Sequence, residues 1–202
     1  MYGDQGWYSW GPELYLDRLT EIYLWSMNRA DLERLPKTEW IGFLEGADPG
    51  YPEKALRAAF EHIRKQMEDV RRDPTTPDTR LADWALDLNP VETNTLTNLT
   101  MGGYFARGRI WTLHARLRYF DPVKRRSGLP EDVGALVEKL TVESATVTLV
   151  NINQTQSRVV TVQAGGYAEH QFTAVRALGK ETALNNLFFT VRLGPGAGAR
   201  LK

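Results

Sequence analysis

Three carboxylates near a tryptophan are the residues best placed to do chemistry. Asp83, Asp87 and Glu92 flank Trp84. If residues 83–87 are helical, Asp83 and Asp87 share one face at four-residue spacing. Two carboxylates facing each other across a cleft are what glycoside hydrolysis requires, one as acid and one as base or nucleophile. The same spacing on an open helix is solvated surface, so the three are catalytic candidates only if a cleft gathers them. Glu169-His170 offers a base with an orienting partner. In a strand, though, neighbouring side chains point to opposite faces and the two would not converge.

Other reactive constellations are missing from the sequence. His62, His114 and His170 lie far apart, none with a second ligand at metal spacing, so no metal and no cofactor is expected. There are no cysteines, which removes disulfides, thiolate ligands and cysteine nucleophiles. No serine stands in a nucleophile-elbow pattern. Gly194-Pro195-Gly196-Ala197-Gly198 resembles a phosphate loop in composition, but no helix can follow it, and it reads as a turn.

Binding is better represented than catalysis. Arg107, Arg109, Arg116, Arg118, Lys124, Arg125 and Arg126 accumulate between Gly102 and Pro130, where Asp121 is the one acid. Aromatic residues are interleaved with them. Arg116 and Arg118 share a strand parity with His114, and such a face suits a polyanion or an acidic glycan through charge and stacking. Trp7 and Trp10 precede the first helix and form a second candidate platform for a sugar ring, or a docking point for an upstream domain. Zero net charge and the lack of any nucleic-acid signature argue against nucleic acid as a partner.

The elements that must position these residues change character along the chain. Residues 1–101 read as helices. Gly11-Pro12-Glu13 starts one that runs to about Met27, with Tyr15, Leu19, Ile22, Tyr23 and Ser26 as its stripe. Asn28 and Thr38 are positioned to cap two short helices. Pro52 opens the strongest, in which Leu56, Ala59, Phe60, Ile63, Met67 and Val70 recur at three- and four-residue steps. Asn89-Pro90-Val91-Glu92 predicts a further helix that Gly102-Gly103 ends.

From Ile110 the period is two, with Trp111, Leu113, Ala115, Leu117 and Tyr119 on one face. Residues 131–140 fit a short helix or a strand. Ala145 to Gly166 reads as a hairpin of two β-branched strands about a polar turn, and strands follow at 168–177, 188–193 and 199–201. The fold class expected is α+β: a helical segment, 1–101, followed by an antiparallel β-sandwich, 102–202.

Charge divides at the same place. Residues 1–101 carry 18 acidic and 11 basic side chains, and residues 102–202 carry 7 and 14. The simplest consequence is attraction between the halves. No apolar run approaches the ~20 residues that would cross a bilayer, so membrane insertion is not expected. The opening MYGDQGWYSW lacks the pattern of a signal peptide. The compartment stays open between cytoplasm and export.

Three segments carry a family resemblance. Ala145 to Asn151 is a strand ending in a polar turn, and Phe189 to Ala197 is similar to the final strand and turn of accessory domains. Leu113 to Pro122 also looks like part of large bacterial proteins of that build. Together they resemble the C-terminal part of large, mostly uncharacterised bacterial carbohydrate-active-like proteins, where a helical or catalytic domain precedes an accessory β domain. The resemblance implies a non-catalytic accessory or interaction module, with an upstream domain of the same protein and a glycan as partners. A glycosidase-like enzyme using Asp83, Asp87 or Glu92 between the halves is the alternative, and a polyanion binder using Arg116 and Arg118 is another.

Overall fold

The structure is a computed structural model, and it describes residues 16–33, 38–80, 89–103 and 113–202. Helices come first: α1 (Leu16–Ser26), α2 (Arg29–Glu33), α3 (Glu39–Leu44), α4 (Tyr51–Arg72) and α5 (Asn94–Met101). Among the described residues nine strands follow: β1 (Leu117–Asp121), β2 (Arg126–Ser127), β3 (Val133–Leu140), β4 (Ala145–Asn151), β5 (Arg158–Ala164), β6 (Phe172–Ala177), β7 (Lys180–Asn186), β8 (Phe188–Leu193) and β9 (Gly198–Leu201). They form two antiparallel sheets, ordered β2-β1-β5-β8 and β3-β4-β9-β6-β7. The α+β architecture expected from the change of period is the one observed.

Local chemistry explains the helix starts. Thr38 Oγ1 accepts the Ile41 N–H at 3.3 Å and caps α3. The Asn28 side chain accepts from Ala30 N at 3.0 Å ahead of α2. Pro52 sits in the first turn of α4, where its missing N–H costs nothing. Two readings need correction. Among the described side chains of α1, Thr20 and Leu24 are buried and Tyr23 packs partly buried against the core, while Ile22 of the expected stripe is about half exposed; Tyr15 and the Leu19 side chain lie outside the described residues. The Asn89 signal makes a local turn onto Val91 N, and α5 begins only at Asn94.

The segment from Ala145 to Gly166 is not a hairpin. β4 pairs with β3 and β9, whereas β5 pairs with β1 and β8, so the polar loop between them crosses from one sheet to the other. Both strands turn apolar residues inward, and they face each other across the sandwich: Val147 and Leu149 from one sheet, Val160 and Val162 from the other, all buried. Asn151 fixes the crossing. Fully buried, it donates through Nδ2 to Gln156 O at 2.8 Å and Gly194 O at 2.9 Å, and it accepts from Asn153 N. One side chain thus ties the β4–β5 corner to the β8–β9 turn, and its polar atoms are satisfied as burial demands.

Residues 131–140 resolve as strand β3, with a register shift between Val137 and Lys139. Strands β2 and β7 were not apparent from the residue pattern. β7, KETALNN, is mostly exposed and therefore has no apolar alternation to show.

One apolar cluster runs through both sheets and into the helices. It includes Leu24, Trp40, Ile41 and Phe43 together with Tyr119, Val137, Leu149 and Val162. The helices meet the sandwich through backbone bonds as well: Arg116 N donates to Met101 O at 3.0 Å, and Tyr119 Oη donates to Thr100 O at 2.7 Å. Burial raises the Tyr119 phenol well above its ordinary pKa, so it stays a neutral donor.

Candidate binding face and the His114 corner

Strand register assembles a polar and aromatic surface on the outer side of the four-stranded sheet. Arg118 lies opposite Gln163, which lies opposite Phe188. One rung further, Ser127, Phe120, Thr161 and Thr190 align across all four strands, and Val159 pairs with Arg192 beyond them. The period of two sends Leu117, Tyr119, Val160 and Val162 inward, which leaves these residues outward. The face carries two cations, several hydroxyl and amide groups, and no acid.

Its rings are partly held in place. The Arg118 guanidinium sits 5.3 Å from the Phe120 ring centroid, a cation–π distance, while its Nη1 donates to Gly166 O at 2.9 Å. Phe188 is 52% exposed, a large ring left in water at the edge strand. The Thr161 and Thr190 hydroxyls meet at 3.3 Å. From strand spacing and residue rise, Phe120 and Phe188 stand about 12 Å apart on the diagonal.

At one end of β1 the chain turns under α1, and the expected strand face is closed there. His114 is buried, its ring 4.5 Å from that of Trp25 and tilted by 54°. Its Nδ1 has no hydrogen-bond partner. Burial first, and the nearby Arg116 charge second, push its pKa down to about 4, against a weaker upward pull from Glu169. Arg116 is half-buried and donates through Nη2 to Leu24 O, the C-terminal part of α1. Gly103 makes the approach possible, because a Cβ there would lie 2.1 Å from His114 O.

Glu169 and His170 lie in the loop before β6, not within a strand. The Glu169 carboxylate accepts from Gly166 N at 3.1 Å and Tyr167 N at 2.7 Å. Partial burial works to raise its pKa, but these backbone donors outweigh it and hold the group ionised below the usual range. It is a clasp on the turn.

The remaining candidates separate in the same way. Glu92 is half-buried and accepts Thr95 N at 3.0 Å, which satisfies a free donor at the start of α5. Asp83, Asp87, Trp7 and Trp10 lie outside the described residues. Among the described residues no group of three His, Asp or Glu side chains could hold a metal ion, and no helix is long and apolar enough to cross a membrane. Sequence reasoning identified Arg118 and noted Phe120, but it missed Gln163, Phe188 and Thr190. Strand parity marks each of them as outward, yet only the pairing of β5 with both β1 and β8 puts them on one surface.

Comparison with known proteins adds one finding on the helical side. A family model described as a domain of unknown function (DUF8034) matches residues 36–97, which take in α3, α4 and the first turn of α5. The match covers less than a third of the chain and stops short of both sheets. No curated protein and no solved structure matches the chain.

Proposed function

We propose that this chain is a non-catalytic interaction module, accessory to a carbohydrate-related bacterial protein, and that it binds an acidic oligosaccharide on the outer face of the β2-β1-β5-β8 sheet. The observation that carries the reading is the pair of rungs Arg118–Gln163–Phe188 and Phe120–Thr161–Thr190. Ring faces accept the apolar faces of sugars, and amides and hydroxyls match sugar hydroxyls. Arg118 and Arg192 supply the charge for a carboxylate or sulfate. A ligand touching both phenylalanines spans about 12 Å and is therefore an oligosaccharide, not a single sugar.

The test is affinity electrophoresis and calorimetry with heparin-derived and uronic-acid oligosaccharides. Phe188→Ala is expected to weaken binding about tenfold, equivalent to the loss of about 1.4 kcal/mol of ring contact. Arg118→Ala should weaken it similarly and flatten its salt dependence. Wild-type affinity in the Arg118→Ala/Phe188→Ala double variant would refute the assignment.

A further inference from the structure

Helix α4 carries three parallel rows of side chains, each stepping by seven residues. The first, Leu56, Ile63 and Val70 with Ala59 and Gln66 beside it, is half-buried, and the Gln66 side-chain oxygen there is shielded from water. The second is Phe60 and Met67, 58% and 41% exposed. The third is Arg57, Arg64 and Arg71, all exposed. Seven residues fall only about 20° short of two full turns, so each row runs along the helix with little drift.

The apolar members form one seam. Leu56, Phe60, Ile63, Met67 and Val70 follow steps of four, three, four and three, the spacing by which one helix packs along another. That seam is unequally covered. α4 touches α3 and α5, and its Tyr51 ring lies 5.9 Å from that of Phe43, yet no residue of the helix is buried. Phe60 and Met67 stand at the boundary between the half-buried side and the arginine row, about 10 Å apart by helical rise.

The arginine row has charge to spare. Glu53 holds Arg57 at 2.7 Å, and Glu68 pairs with Arg72. Among the described residues no carboxylate pairs with Arg64 or Arg71.

We infer that this shoulder of α4 docks an amphipathic helix of a partner protein, with apolar residues at heptad spacing and carboxylates along one flank. Charge complementarity selects this occupant. An apolar side chain resting on Phe60 and Met67 brings the flank of its helix beside Arg64 and Arg71, where acids are attracted and bases repelled. The unbranched Met67 thioether adapts to the shape of what it meets. A second copy of this chain fits poorly, because a two-fold antiparallel pairing of α4 with itself sets one arginine row against the other. A bilayer surface requires no seven-residue repeat, and Phe60 and Met67 are the only large apolar side chains of α4 exposed to enter one. The shoulder shares no residue with the outer sheet face, so each assignment can fail without the other.

Titration of the full chain with two helical peptides of three heptads, followed by fluorescence anisotropy, tests the inference. Both peptides carry leucine along the seam; one has glutamate at the flanking positions and the other lysine. The glutamate peptide should bind about tenfold more tightly, with an affinity that falls as salt is added. Phe60→Ala and Met67→Ala should each weaken it about tenfold, and because both side chains are exposed the thermal midpoint should hardly move. Arg64→Glu/Arg71→Glu should reverse the preference in favour of the lysine peptide. Phe188→Ala, on the outer sheet face, should change neither affinity. Equal affinity for the two peptides, or no binding of either at millimolar concentration, would overturn the inference. So would Phe60-dependent binding to phosphatidylserine vesicles without binding of the glutamate peptide, or a dimer of the chain that Phe60→Ala dissociates.

Discussion

His114 shows how a single residue acquires its role from what covers it. Its strand parity assigns it outward with Arg118, but α1 crosses that end of β1 and Trp25 seals the ring. A buried neutral imidazole disfavours protonation. Its folded pKa, about 4, lies below the unfolded value of 6.5, so the unfolded chain binds more protons between these values. Stability from this group is therefore complete above about pH 6.5 and is lost progressively as pH falls toward 4. The shift converts to about 3 kcal/mol, and screening by nearby solvent reduces that to about 2 kcal/mol. Arg116 and His170 add to the effect, and Glu169 opposes it. Thermal unfolding of wild type and His114→Gln between pH 7 and 4 should show a steeper decline in the wild type. Parallel curves would remove His114 as the cause.

At the scale of elements, helices were legible because their signals are local. Thr38 and Asn28 cap helices as their types suggest, and Gly102 ends α5 in the left-handed conformation at φ 57°. Amphipathic spacing correctly located α4, yet no residue of that helix is buried and Phe60 is 58% exposed. Period reports that a helix has two faces, not how much of one will be covered. The β4–β5 corner was misread for a related reason. Two β-branched runs about a polar turn fit a hairpin or a sheet crossing equally, and the strands' partners decide between them. Gly103 provides the test at this scale. Gly103→Ala places a methyl against the His114 carbonyl, where backbone must move, and should cost several kcal/mol in chemical denaturation. Gly134→Ala in β3, where a Cβ meets nothing within 4 Å, should be close to neutral. Equal effects would mean that the α5–β1 approach is not tight.

Across the whole molecule, the two halves carry opposite net charge, acidic in residues 1–101 and basic in 102–202. The described pairs, Lys54–Asp48, Arg57–Glu53, Arg158–Asp132 and Arg200–Glu138 among them, each join residues of the same half. Among the described residues, the halves are joined by the shared apolar cluster and the bonds that Arg116 and Tyr119 make to α1 and α5. A core common to helices and sheets predicts one cooperative transition. Helical circular dichroism and tryptophan fluorescence should give coincident urea curves, and Ile41→Ala, at a 1% exposed core position, should shift both together by about 2–4 kcal/mol. Two separated transitions would show that the halves unfold independently.

What the residues alone determined was order and type: helices before strands, caps at Asn28 and Thr38, the inward parity of β1, and the lack of thiol chemistry. These depend on neighbours within a few positions, where propensity and period act directly. Tertiary structure decided the rest. It placed β4 and β5 in different sheets, closed the strand face over His114, and aligned Arg118, Gln163 and Phe188 from three strands. Each outcome depends on which distant segments meet, and the alternation within a strand is the same whichever partner lies beside it.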